Sequence, residues 1–253
     1  MPLPAAIYLE TSVLWPLPID LESARFLNLK ELSARSGTPI LVARLSVDEY
    51  LHNKANELLT EASILEKTLA KLKDFVQEPP RISLSLDLPS MLRELEGRFA
   101  ASLEKHGVEV LPNVAVPQET LLNMSLKKIR PFEEKGEKGF RDTIILYTLL
   151  EDARGKHFDS VTLVTSDQVF SHRDVESIAA EKGISLKVLD SFESAIAYLK
   201  ELQTAEFQDW LSRRMAHLRA FLLGHNEQIL EFIKANVLVD ESFLTSGEAV
   251  LGV

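Results

Sequence analysis

Four acidic residues stand at positions where a parallel sheet presents ligands. Glu10 lies in Leu9-Glu10-Thr11-Ser12, Glu49 in Ser46-Val47-Asp48-Glu49, Asp142 in Gly139-Phe140-Arg141-Asp142-Thr143, and Asp167 closes Thr165-Ser166-Asp167. Crevices in open α/β sheets open at the carboxyl ends of the strands, where each of these segments falls. Brought together, the four carboxylates would repel: two unit charges about 4 Å apart cost about 1 kcal/mol in water and about 4 kcal/mol at an effective dielectric near 20. Such a cluster calls for a cation. Oxygen donors without cysteine or paired histidines suit Mg²⁺ or Mn²⁺ and do not suit zinc. Those ions activate water and neutralise charge on a phosphate, so phosphodiester hydrolysis is the natural chemistry.

Each acid also has a local explanation. Ser46 with Glu49 three residues on fits a capping box. Asp142 in a first helical turn complements the helix dipole, and Asp167 can cap the helix after it. Glu10 ends an apolar run in a turn where no helix cap obviously requires a carboxylate.

The elements that must position these residues follow from the apolar pattern. Residues 5–9 form an unbroken apolar run, followed by a helical pattern over 21–34, Gly37-Thr38-Pro39, and a second apolar run at 40–42. Two more strands are expected at 161–164 and 184–189, separated by a helix over 169–181 and followed by another over 192–202. Strands alternating with helices imply a parallel sheet with right-handed crossovers. Between the halves, Leu58, Ala62, Leu65, Leu69, Leu72 and Val76 make one helical seam, ended by Glu78-Pro79-Pro80, and Leu92, Leu95, Phe99 and Leu103 make a second before Gly107. The two seams predict a helical hairpin inserted at about 50–106. After Thr204 the chain turns helical again, giving an α/β domain over 1–203 and a helical extension over 204–253. The last stretch, 237–253, carries no stop signal, which suggests a natural chain that continues past Val253.

Composition narrows the function. The 253 residues contain no cysteine and carry 28 Lys+Arg against 38 Asp+Glu, a net charge of −10. Disulfide scaffolds, thiolate metal sites and cysteine nucleophiles are excluded. Bulk electrostatic coating of nucleic acid is disfavoured, since it needs clustered cations, but an acidic nuclease meeting phosphate through metal is not. No HExxH, GxGxxG, Walker or GxSxG pattern occurs. No apolar stretch approaches the roughly 20 residues of a membrane span, and Met1-Pro2-Leu3-Pro4 does not open a signal peptide. The expected location is the cytoplasm. Arg213-Arg214, with Trp210 and His217 nearby, could contact a single strand by charge and stacking, or could be a solvated helix face.

At these residues the sequence resembles the PIN-domain nucleases, most closely the larger bacterial PIN-like proteins. The matching pieces are Ile7-Tyr8-Leu9-Glu10-Thr11-Ser12-Val13-Leu14, the Glu49 region, Gly139-Phe140-Arg141-Asp142-Thr143-Ile144-Ile145-Leu146, and Val161-Thr162-Leu163-Val164-Thr165-Ser166-Asp167. The resemblance implies a three-layer α/β/α fold. It also implies metal-dependent endonucleolytic cleavage of RNA, with Glu10, Glu49, Asp142 and Asp167 holding Mg²⁺ or Mn²⁺. Thr11, Ser12, Thr165 and Ser166 would support the site, and Arg141, Arg213 and Arg214 would meet the substrate. The family's first acid is usually Asp, and Glu10 sets its carboxylate about one bond further out. That departure favours an alternative, a catalytically silent PIN-like module that binds RNA or a protein partner. RNA is the expected substrate, a homodimer is an open assembly, and an inhibitor protein is unspecified. A phosphatase-like or receiver-like fold ranks last, because Thr11 and Ser12, not a second acid, follow Glu10.

Overall fold

The apolar run near the N-terminus forms β1 (Ala6–Leu9), buried along its whole length. It lies at the centre of a parallel sheet with β2 (Ile40–Ala43), β3 (Glu109–Leu111), β4 (Ser160–Val164) and β5 (Ser185–Leu189), in the order β3-β2-β1-β4-β5. Tyr8 is paired with Leu41 on one side and Leu163 on the other. The order reverses at β1, so the crevice of the sheet lies where β1 and β4 end. The computed structural model of the chain describes residues 3–72, 87–132, 138–225 and 228.

Alternate residues of the strands feed two cores, because successive side chains point to opposite faces. Ile7, Leu9, Ile40, Val42 and Val164 pack with helix α2 (Ala24–Ser36), the start of α3 (Arg44–Leu72), α4 (Leu88–His106) and the start of α8 (Phe192–Gly224). Ala6, Tyr8, Leu41, Leu163 and Ala43 pack with α6 (Phe140–Gly155) and α7 (Arg173–Glu181) on the other face. The architecture is thus a three-layer α/β/α sandwich. The second insertion helix is part of that core: Leu95, Phe99 and Leu103 are buried, and Phe99 stacks on Tyr50 of α3 at a centroid distance of 4.4 Å. The outer seam of α3 behaves differently, with Leu58 and Leu65 exposed. The Glu78-Pro79-Pro80 stop and residues 237–253 lie outside the described residues.

Several boundaries differ from the sequence expectation. The capping box at Ser46 is overturned, because α3 begins at Arg44, directly after β2, and Ser46 is buried inside its first turn with no hydrogen-bond partner for Oγ. The side chain of Asn113 caps this helix instead, accepting from the Leu45 N–H at 2.9 Å. The expected 169–181 helix is a 3-10 turn (Gln168–Ser171) followed by α7. The helices expected at 192–202 and after Thr204 are one, α8. Strand β3 and helix α5 (Gln118–Lys127) were not expected from the sequence.

By contact density the chain divides into two compact units, Met1–Leu202 and Gln203–Val253. Within the described part of the second, Phe207, Trp210, Met215, Leu218 and Phe221 are exposed along the helix.

Candidate active site

The turn after β1 is built around a buried carboxylate. Glu10 is the N-cap of a single helical turn, α1 (Thr11–Leu14), and its Oε2 accepts from the Ser12 N–H at 2.8 Å. The local capping role that the sequence did not suggest for Glu10 is therefore present. The same oxygen accepts from the Thr165 hydroxyl, just past β4, at 2.9 Å, leaving Oε1 without a hydrogen-bond partner among the described residues. Thr165 Oγ1 in turn accepts from the Asp167 N–H at 3.0 Å and lies 3.2 Å from Ser12 Oγ, which accepts from the Ser166 N–H at 2.8 Å. The turns after β1 and β4 are thereby laced into one unit. Asp167 stands exposed at its end, capping the 3-10 turn through Val169 N–H at 2.9 Å.

Glu49 projects from α3, well past its first turn. Thr11 Oγ1 donates to its Oε2 at 2.7 Å, and Arg141 Nη1 pairs with its Oε1 at 2.5 Å. Both oxygens of this carboxylate are thus engaged. Arg141 and Asp142 ride on the first turn of α6, whose placement depends on Gly139. That residue has φ of +113°, and a Cβ there would lie 2.4 Å from the carbonyl oxygen of Pro131, so only glycine lets the chain pass.

Asp142 is half-buried, and its carboxyl is pushed up to about 6. Burial is the largest cause, followed by the negative charges of Asp167, Glu10 and Glu49, while Arg141 acts in the opposite sense. Four carboxylates from four separate segments therefore share one electrostatic field, with the Arg141 guanidinium at Glu49 as partial compensation. The donor set, hard anionic oxygens in excess of local positive charge, fits a divalent cation such as Mg²⁺ or Mn²⁺. Among the described residues no three such side chains stand ready as a ligand set. Glu10 is held by Ser12 and Thr165, and Glu49 by Thr11 and Arg141.

Of the expected substrate contacts, Arg141 lies within this cluster. Arg213 and Arg214 belong to the second unit, where Arg213 pairs with Asp209 at 2.5 Å and Arg214 lies 5.8 Å from the Trp210 ring centre. A contact the sequence reading missed lies beside Thr11 and Glu49. The Lys54 ammonium sits 5.8 Å from the ring centre of Trp15, the C-cap of α1. Spacing signalled only half of it: Trp15 follows Thr11 by four residues, one turn on, but Lys54 follows Glu49 by five, which helix periodicity does not keep on one face.

Acids gathered at the switch point of a parallel α/β/α sheet stand where folds of this class bind their ligands. A family model described as PIN domain matches residues 7–170, from β1 to just beyond Asp167, and the chain belongs to the PIN-domain family. PIN domains are generally nucleases, and those nucleases generally use divalent metal ions. No curated protein and no solved structure matches the chain. Among the described residues no helix is long and apolar enough to cross a membrane.

Proposed function

We propose that this chain is a metal-dependent endoribonuclease that hydrolyses RNA phosphodiester bonds. The observation that carries the reading is the convergence of Glu10, Glu49 and Asp167 on Asp142, whose proton affinity is raised first by burial and then by those three charges. In this reading the four carboxylates hold Mg²⁺ or Mn²⁺. The bound ion supplies charge neutralisation at the phosphate and activation of water. Asp142 must lose its proton to act as a ligand, so the site fills as pH rises past about 6. Thr165 and Thr11 fix the orientations of Glu10 and Glu49 through their hydroxyls. Arg141, already charged and next to the cluster, leaves Glu49 to meet a phosphate oxygen, for which its fork of donors is suited. Ser12 and Ser166 hold the two turns in register.

The second reading, a silent PIN-like module, is favoured by one specific observation. The Arg141–Glu49 ion pair closes a carboxylate that a metal would need. Titration calorimetry with Mn²⁺ separates the two. The nuclease reading expects binding in the parent protein, metal-stimulated cleavage of RNA, and loss of both in Asp142→Asn. An absence of Mn²⁺ binding at millimolar concentration would leave the silent module standing. RNA as the substrate, the cytoplasm as the location, and a role for Arg213 and Arg214 in substrate contact belong to this proposal.

A further inference from the structure

Helices α1 and α3 touch at two levels. At the first, Thr11 donates to Glu49 at 2.7 Å. At the second, four residues further along α1 and five along α3, the Lys54 ammonium lies 5.8 Å from the ring centre of Trp15. The Trp15 N–H donates to the Thr11 carbonyl at 2.9 Å, so both residues sit on one side of the same turn, as residues four apart must. Trp15 is flanked by the buried Leu14 and Leu17, yet 40% of its own surface faces solvent. Lys54 is held in place by Glu57 at 3.0 Å and by the Tyr50 ring, whose centre lies 5.9 Å away. A partly exposed indole with an anchored cation over one ring face, on the two helices that carry Thr11 and Glu49, has the composition of a site that stacks a base and steadies a phosphate.

We propose that Trp15 and Lys54 form a nucleotide-binding subsite beside the acidic crevice, in which the indole stacks an unpaired base and the ammonium meets its phosphate. A base can stack on Trp15 only if it is unpaired, whereas a duplex keeps its bases inside. The subsite rests on the nuclease reading for its orientation but can be tested apart from it.

The chain has two tryptophans, so Trp210→Phe leaves Trp15 as the sole indole reporter. Titration of that full-length variant with a short single-stranded RNA, with Ca²⁺ replacing Mg²⁺, is expected to quench Trp15 emission saturably, and the same RNA annealed to its complement is expected not to. Trp15→Ala is expected to weaken single-strand binding, read by the polarisation of a labelled oligonucleotide, about tenfold or more, with Trp15→Phe retaining most of the affinity. Lys54→Gln should lower the dependence of log affinity on log salt by about one, a readout that survives if Trp15→Ala fails to fold. RNA binding with unchanged Trp15 emission, equal affinity for duplex, or no RNA binding at all overturns the subsite. RNA that quenches Trp15 but is not cut with Mn²⁺ sinks the nuclease reading alone, whereas RNA that is cut while Trp15 stays silent sinks the subsite alone.

Discussion

The two ends of the sheet use the same kinds of side chain to opposite effect. Where the strands begin, hydroxyls meet backbone carbonyls: Thr38 donates to Pro4 O at 3.1 Å, and Ser33 donates to Thr38 O. Nearby, His106 is buried against the edge of Phe26, with one ring nitrogen 3.2 Å from Lys30 Nζ and the other 3.2 Å from Asp20 O. Each polar group there finds a partner without an excess of charge. Where β1 and β4 end, the hydroxyls of Thr11 and Thr165 instead meet carboxylates. Those acids stay in excess, and their charges add to the burial that raises the proton affinity of Asp142. One end spends its polar contacts on holding the layers together, and the other keeps a surplus of negative charge that folding alone would not select.

The largest effect that would sharpen this contrast is expected at Asp142. Losing a merely supporting hydrogen bond at a metal site costs about 10–100-fold in affinity or activity, and losing a ligand should cost more. Asp142→Asn is therefore expected to lower Mn²⁺-stimulated RNA cleavage by at least about a hundredfold. Its stability should move the other way. The folded carboxyl titrates near 6 against 3.8 for the free group, so between those values the folded chain binds more protons than the unfolded one. The contribution of Asp142 to the stability of the metal-free protein then falls as pH rises from about 4 to about 6, by at most about 3 kcal/mol, and is read as the difference between the parent and Asp142→Asn. Urea titrations across that range should show the parent losing stability relative to Asp142→Asn. Saturating Mn²⁺ at pH 7 should restore about 2.7 kcal/mol when present at a hundred times its dissociation constant. An active Asp142→Asn enzyme would erase the contrast between the two ends.

The opposite dissociation is expected at His106. Removing the ring in His106→Ala leaves Lys30 and the Asp20 carbonyl without it and opens space beside Phe26. A loss of about 2 kcal/mol in unfolding free energy follows. RNA cleavage per folded molecule should not change, because His106 touches none of the four acids. A folded, stable His106→Ala protein with reduced cleavage would show that the two ends are coupled through α4.

How much of this could be read in advance depended on burial. Strands β1, β2 and β4 were legible because they are covered on both faces and so read as apolar runs. Strand β3, Glu109–Leu111, was not, because it is a three-residue edge strand with two exposed positions. Helix α5 was missed for want of a start signal, its N-cap being Pro117 with no side-chain bond. Ser46 misled because a capping box looks the same whether or not the helix has already begun. The acids could be named one by one, but not their mutual distances. Those depend on Gly139 passing under Pro131, on the Thr165 hydroxyl bridging two turns, and on Arg141 reaching Glu49. None of those contacts has a periodicity to betray it.

The smaller expected effects compare one hydroxyl from each end. Thr165→Val keeps the shape of the side chain but removes the donor to Glu10 and the acceptor for Asp167 N–H. Glu10 then keeps only its bond from Ser12 and can swing, so Mn²⁺ affinity is expected to fall about tenfold by calorimetry. Thr38→Val removes only a donor to Pro4 O, and about 1 kcal/mol of stability with unchanged Mn²⁺ affinity is the expected result. The two substitutions are chemically identical and both sites are buried. A difference in metal affinity between them can therefore come only from what each hydroxyl holds. Equal Mn²⁺ affinities in the two variants would show that Thr165 is another structural bond and that Glu10 is kept in place by its helix cap alone.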